Sequence, residues 1–379
     1  MAWGDRWSWK GKLLLALGLA AGGFLGLGLF VFGLRLPPLQ WEPSTRPTEM
    51  EAPDGTFFVE GQGVTYVRSE NGALVFRAST PSPTLIVSAK VATTARVVLQ
   101  NVHPDTLPGS VAPMRVDGLT RTYEFEIEPG VGVLIQPRFD KERSTFRFAA
   151  IGDTGGGEAL TWALQRAHDL GADFLLHLGD IEYQEGGMER AAIALNAANI
   201  PTYACIGNHD FHNGLDLVHK RFTKLIGPRN SMFDFGGVRF LNLDTAADTW
   251  PASGGDRGAL MESLLTAGYP AEQELIVLTH RPLHDPRESA GEDGHAIGHS
   301  AEVDWLLESF LALGADALLH GHIHETHIDE VSGMPAYIVG NGLNLAEPGP
   351  ATAAGILIGE WQAGAPKVSI RMEPLHLSE

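Results

Sequence analysis

The chain has 379 residues, 44% of them hydrophobic and 19% charged, a balance that excludes wholesale disorder and leaves ample length for a large buried core. Lys+Arg of 27 against Asp+Glu of 46 give a formal net charge of −19, which repels polyanions and argues against a nucleic-acid partner. A single cysteine, Cys205, excludes an intrachain disulfide and a thiolate metal cluster.

Leu13 to Leu34 is an unbroken run of 22 apolar or glycine residues, about 33 Å as a helix and long enough to span a bilayer. Arg6, Lys10 and Lys12 precede it with only Asp5 opposing. The positive-inside rule therefore puts residues 1–12 in the cytoplasm as a stub, and the chain beyond residue 36 outside, periplasmic or extracellular. The run exceeds a usual signal-peptide core, and no small-x-small cleavage site follows it before Pro37 and Pro38. Residues 13–36 are thus expected to be a transmembrane signal anchor, with secretion after cleavage as the alternative. Five prolines punctuate residues 37–55, which read as an extended linker.

Over residues 56–140 the pattern changes to short β-rich runs, such as 72–77, 85–88 and 123–127, separated by turn residues; this predicts a small antiparallel β-sandwich. It carries no catalytic cluster, so its expected role is that of a spacer or lid; a protein partner for it is not identifiable from sequence. Over residues 145–379 strand-like runs such as 146–151 and 174–178 alternate with helical period, as at 159–170, which predicts an α/β domain.

The polar residues of interest follow the strand-like runs, where open α/β sheets place their ligands. In order they are Gly152-Asp153-Thr154-Gly155, Gly179-Asp180-Ile181-Glu182-Tyr183, Gly207-Asn208-His209-Asp210, Val277-Leu278-Thr279-His280 and Gly321-His322-Ile323-His324. Carboxylates, imidazoles, an amide carbonyl and a phenol suit borderline-hard divalent and trivalent metals, and one carboxylate can bridge a pair. Two such ions polarise a phosphoryl oxygen and lower the pKa of a shared water.

At these residues the chain resembles the calcineurin-like metallophosphoesterases, and within them it looks most like the purple acid phosphatase branch. All five blocks stand in family order. The resemblance implies a four-layer α/β/β/α sandwich holding two metal ions, iron plus a divalent metal (iron, zinc or manganese). It implies Asp153 and His324 at one metal, Asp180 as the bridge, and Asn208, His280 and His322 at the other. Most of the family carries a histidine where this chain has Gly155; purple acid phosphatases lack it too and place a tyrosine three residues after the bridging Asp, as Tyr183 stands to Asp180. By the same resemblance His209 is the catalytic residue, bonding the phosphoryl oxygen or protonating the leaving group, with orientation of Asn208 as its structural alternative. Asp210 is read as orienting that turn.

Eight of the fifteen histidines lie between His280 and His327. His284, His295 and His299 fall in a Gly-rich, charged segment that could roof the pocket and meet substrate; ordinary solvated histidines are the alternative. The combined expectation is a membrane-anchored phosphoesterase in which a hydroxide bridging the metals attacks a small phosphoester, with a phosphomonoester as the expected substrate. A phosphodiester or lipid-linked phosphate is the alternative within the class; a catalytically silent, membrane-anchored binding or assembly factor is the alternative outside it.

Overall fold

The computed structural model describes residues 48–52, 55–139, 144–210, 220–246, 254–268, 273–287, 295–340, 342, 354–365 and 367–375. The chain divides into Met1–Glu42 and Pro43–Glu379. The first unit, and with it the expected anchor at residues 13–36, lies outside the described residues, as do His212, His219 and most of the linker. Among the described residues no helix is long and apolar enough to cross a membrane.

The N-terminal part is β-rich. One sheet has the order β1 (Thr48–Glu51), β2 (Phe57–Gln62), β5 (Thr84–Ala89), β9 (Val133–Ile135) and is antiparallel throughout. The other runs β3 (Val64–Glu70), β4 (Ala73–Ala78), β6 (Thr93–Gln100), β8 (Thr120–Ile127), β7 (Arg115–Asp117). Along β2 burial alternates residue by residue, as a strand with one face inward requires. Val59, Leu74, Phe76, Leu85, Val87, Val97, Leu99 and Tyr123 fill the space between the sheets. Asn71 and Gly72, both at positive φ, turn β3 tightly into β4. The expectation of a purely antiparallel sandwich needs correction, because β4 pairs with β6 in parallel. β5 lies in the opposite sheet between them, so the chain returns to the sheet of β4 in its original direction.

The second part is built on two mixed sheets. The first has the order β12 (Thr202–Ala204), β11 (Phe174–His177), β10 (Thr145–Ile151), β19 (Gly355–Gln362), β20 (Ser369–Pro374), with β10, β11 and β12 parallel. The second runs β13 (Ser231–Phe235), β14 (Val238–Asn242), β15 (Glu274–Thr279), β16 (Ala317–His320), β18 (Met334–Val339), β17 (Thr326–Val331). The sheets meet through a phenylalanine-rich layer: Phe146 and Phe235 pack edge-on at 4.9 Å between ring centroids, Phe148 and Phe240 at 5.2 Å. Helix α1 (Glu158–Asp169) buries Leu160, Ala163, Leu164 and Ala167 at helical spacing against the outer face of the first sheet, joined by α2 (Gly187–Ala197). After the short α3 (Lys220–Leu225), helices α4 (Gly255–Ala267) and α5 (Ser300–Leu313) cover the second sheet in the same way. The layers are therefore helix, sheet, sheet, helix, and the parallel strands of both sheets deliver their C-terminal ends to one edge.

Asn101 ties the two parts together. Its Nδ2 donates to the Thr202 carbonyl at 2.9 Å and the Ala78 carbonyl at 2.8 Å, while its Oδ1 accepts the Thr202 N–H at 2.9 Å.

Candidate metal centre

Each block lies just beyond a strand end: Asp153 after β10, Asp180 after β11, Asn208 in a single 3-10 turn after β12, His280 after β15, His322 and His324 after β16. Asp153, Asp180 and His322 have φ of 61°, 59° and 69°. Non-glycine residues enter this left-handed region at a cost, and such strain concentrates where a site needs it. Here it turns three side chains sharply off their strands into a common space. The glycines that precede the candidate ligands follow from crowding: a Cβ on Gly179, before Asp180, would collide with the His280 ring, and one on Gly207, before Asn208, with the Asp180 carboxylate.

Two groups of ligand atoms result, sharing Asp180. In the first, the Tyr183 hydroxyl lies 3.1 Å from Asp153 Oδ1, 3.1 Å from Asp180 Oδ2 and 3.0 Å from His324 Nε2, and His324 Nε2 is 3.5 Å from Asp153 Oδ1. In the second, His280 Nε2 lies 2.9 Å from Asn208 Oδ1 and 3.4 Å from Asp180 Oδ1. Ligand atoms of Asp180, His280 and His322 all fall within 4.8 Å of one another, and the His280 and His322 rings are 5.0 Å apart.

Protonation shows how this set fits a cation. His280 Nδ1 faces the Leu178 carbonyl at 2.8 Å and is the protonated nitrogen. The Nε2 lone pair is thereby aimed at Asn208 Oδ1 and Asp180 Oδ1, an arrangement that a cation held between them satisfies. In the metal-free site a proton does this. Burial opposes charging His280, but Asp180 and then Asp153 carry it up to about 9. Burial opposes ionising Asp180 as well, yet His280 and the His209 N–H hold its carboxyl well below the usual range. Burial and the His280 charge push His322 down to about 2, leaving a neutral imidazole ready to ligate. Burial and the Asp153 and Asp180 charges push the Tyr183 phenol up. Two carboxylates, an amide oxygen, three imidazoles and a phenol in this space fit a pair of metal ions.

Residues 146–326 match the model of the calcineurin-like phosphoesterase family. That segment belongs to the family. No protein of curated function matches the chain significantly. Among solved structures, a purple acid phosphatase from yellow lupin (Lupinus luteus) seeds shares 14% identity, with 83% of this chain and 72% of that one covered at a TM-score of 0.48. A dimetal phosphatase from Danio rerio also shares 14% identity, with 61% of this chain and 96% of that one covered at a TM-score of 0.44.

Around the ligands of this calcineurin-like phosphoesterase domain the remaining histidines separate. His209 is exposed at the site, its ring 4.5 Å from that of Tyr183 and its N–H bonded to Asp180 Oδ1 at 2.8 Å. The His295 ring lies 5.9 Å from that of His322. His284 pairs with Asp329 at 3.1 Å, and His299 is exposed at the start of α5. His320 is buried with Nδ1 2.6 Å from Thr279 Oγ1, and His327 pairs with Glu325.

Three supporting residues carried too little signal in the sequence. Asp210 accepts the N–H groups of Asp180, Ile181, Glu182 and Gly207 at 2.7–3.1 Å; its place after Asn208 suggested one turn, whereas it clamps two. Asp285, fully buried, accepts the N–H groups of Arg287 and His295 and the Arg287 guanidinium, which seats His295 beside His322. His177, a polar residue closing an apolar strand, bonds Thr154 Oγ1 at 2.8 Å directly behind Asp153.

Proposed function

We propose that this calcineurin-like phosphoesterase is a dinuclear, metal-dependent phosphomonoesterase of the purple acid phosphatase type, facing outward from a membrane to which residues 13–36 anchor it. The observation that carries the reading is the Tyr183 hydroxyl, in hydrogen-bond reach of Asp153, Asp180 and His324 at once, on a chain with glycine at position 155. Asp153, Asp180, Tyr183 and His324 would hold one metal, iron in this reading; Asp180, Asn208, His280 and His322 would hold iron, zinc or manganese. When bound, the two ions supply Lewis acidity toward the phosphoryl oxygens and lower the pKa of a coordinated water.

The chain's own groups do the rest. His209, fixed through its backbone at Asp180 and resting on Tyr183, is placed to donate a proton to the departing alkoxide. His295, held by Asp285, offers a second donor toward the substrate's phosphoryl oxygens. The His322 N–H donates to Asp153 Oδ2 at 2.9 Å, which fixes that carboxylate's orientation.

Two experiments test this. In the first, full-length protein reconstituted with metal hydrolyses an aryl phosphate, and Asn208→Ala lowers the rate by about 10²-fold or more; no activity in either protein would mean a binding factor. In the second, metal analysis finds two ions per chain including iron, and the protein shows a phenolate-to-iron absorption band that Tyr183→Phe abolishes. Two ions without colour would reduce Tyr183 to a hydrogen-bonding role and remove the purple acid phosphatase assignment.

A further inference from the structure

Two buried histidines stand outside both ligand groups, and the fold places them alike. His177 closes β11 and His320 closes β16, each the last residue of an inner strand of its sheet. They are 0% and 1% exposed. Two residues earlier on each strand, Leu175 packs with the helices over the first sheet and Leu318 with those over the second. Side chains two apart share a face, so both rings lie on the helix-facing sides of their sheets, away from the aromatic layer between them.

Each ring bonds one hydroxyl from the neighbouring strand. His177 Nε2 is 2.8 Å from Thr154 Oγ1, just beyond β10, and His320 Nδ1 is 2.6 Å from Thr279 Oγ1, its cross-strand partner on β15. The hydroxyls donate onward, Thr154 to the Gly155 carbonyl at 2.9 Å and Thr279 to the Arg281 carbonyl at 3.0 Å. A hydroxyl has one proton. With that proton on a carbonyl, the imidazole N–H is the donor in both bonds, which fixes the tautomers as Nε2–H in His177 and Nδ1–H in His320. Burial pushes both rings down to about 3, so each is neutral with a single N–H. The second nitrogen of each, His177 Nδ1 and His320 Nε2, has no partner among the described residues. An unpaired buried nitrogen is costly, and an apolar side chain would fill either position without that cost. What each histidine adds is one N–H aimed at one hydroxyl.

Those hydroxyls sit where ligands leave their strands. Thr154 directly follows Asp153, whose φ of 61° is a left-handed backbone that its neighbours must hold. Thr279 directly precedes His280, and its bond to the Arg281 carbonyl spans that ligand. The histidines in turn lead into ligands, His177 into Asp180 three residues on and His320 into His322 two residues on. One bond therefore joins the strand ends bearing Asp153 and Asp180, and the other joins those bearing His280 and His322.

We propose that His177–Thr154 and His320–Thr279 are two positioning ties, one in each sheet, and that each sets the spacing of the ligand pair at its own metal. The first governs the ion held by Asp153 and Tyr183, the second the ion held by His280 and Asn208. This rests on the dinuclear reading above and adds to it a division of labour between the sheets. None of the four residues touches a metal or the substrate.

The test is metal affinity, not turnover: chelator-treated full-length protein is titrated with manganese(II) and the bound ions are counted. Wild type is expected to bind two. In Asn208→Ala, where the second subsite lacks a ligand, Thr154→Val is expected to weaken the ion that remains by about 10–100-fold and Thr279→Val to leave it unchanged. With Asn208 intact, Thr279→Val weakens one of the two ions by a similar factor. Thr154→Ser and Thr279→Ser keep the hydroxyl and are expected to retain wild-type affinity. Unchanged affinities in both valine variants overturn the proposal even where the Tm falls, because that is what a merely structural hydrogen bond predicts. Equal losses from the two valines at the ion left in Asn208→Ala overturn it as well. Fewer than two ions in wild type overturns the dinuclear reading and the proposal together, whereas two ions with insensitive variants overturns the proposal alone. If a valine variant does not fold, His177→Phe and His320→Phe, which remove the N–H and keep the hydroxyl, decide by the same titration.

Discussion

Replacing Asp180 with asparagine is expected to lower aryl phosphate hydrolysis by about 10³-fold and to reduce bound metal from two ions to one or none, because both ligand groups depend on this carboxylate. The variant also reverses a pH dependence. In the metal-free wild type His280 is raised from 6.5 to about 9, so its attraction to Asp180 stabilises the fold fully below about pH 6.5 and is lost as pH rises through 9. With asparagine at 180 the main raising influence is gone and burial governs His280. Its pKa then falls below 6.5, and metal-free protein loses stability on acidification. Unfolding of chelator-treated protein at pH 5, 7 and 9.5 reads this directly. Identical profiles for the two proteins would show that Asp180 is not the counter-charge of His280.

Asp210→Ala is expected to be the more damaging change to stability. Four buried N–H groups converge on this carboxylate, and stripping a buried donor of its acceptor costs about 1–3 kcal/mol. A loss of at least about 4 kcal/mol, near 10 °C in Tm, follows for a domain of this size. Activity falls with it, since the backbone of Asp180 and the turn bearing Asn208 both lose their anchor. Asp210→Asn keeps one oxygen for Ile181 and Glu182 and sets an amide donor against Asp180 and Gly207, so it should fall between. Unfolding of metal-free protein separates the two variants, and a shift under 1 kcal/mol for Asp210→Ala would remove the clamp from the account.

The metal-ligand candidates were legible in the sequence because residue type and position carry them: Asp, Asn and His beside glycines at the ends of apolar runs. The layered α/β part was legible for a related reason, since fully buried strands such as β11, apolar up to its closing His177, read as short apolar runs. Relations between distant segments were not. The direction of β4 against β6 depends on which sheet β5 joins, and an alternating pattern specifies a face without specifying a sheet. The left-handed backbone at Asp153, Asp180 and His322 leaves no trace in composition, because the residues that usually signal it are glycine and asparagine. Arg77 reads as the polar end of a strand, and only the packing of α2 and β12 over it turns an ordinary arginine into a buried charge. The roof histidines spread apart for the same reason: Asp285 and Asp329, neither conspicuous in sequence, decide where His295 and His284 go.

The amide of Asn101 has a consequence for how such proteins can be cut and recombined. β12 is the edge strand of its sheet, and Asn101 meets both the N–H and the carbonyl of Thr202 on the open side, as one residue of a neighbouring strand would. A catalytic domain severed from its sandwich bares that edge, and bare edges recruit other chains. Chimeras that keep the catalytic blocks but import a foreign sandwich therefore inherit a sticky seam unless an equivalent of Asn101 travels with them. The two parts are separable on paper and heritable only as a pair.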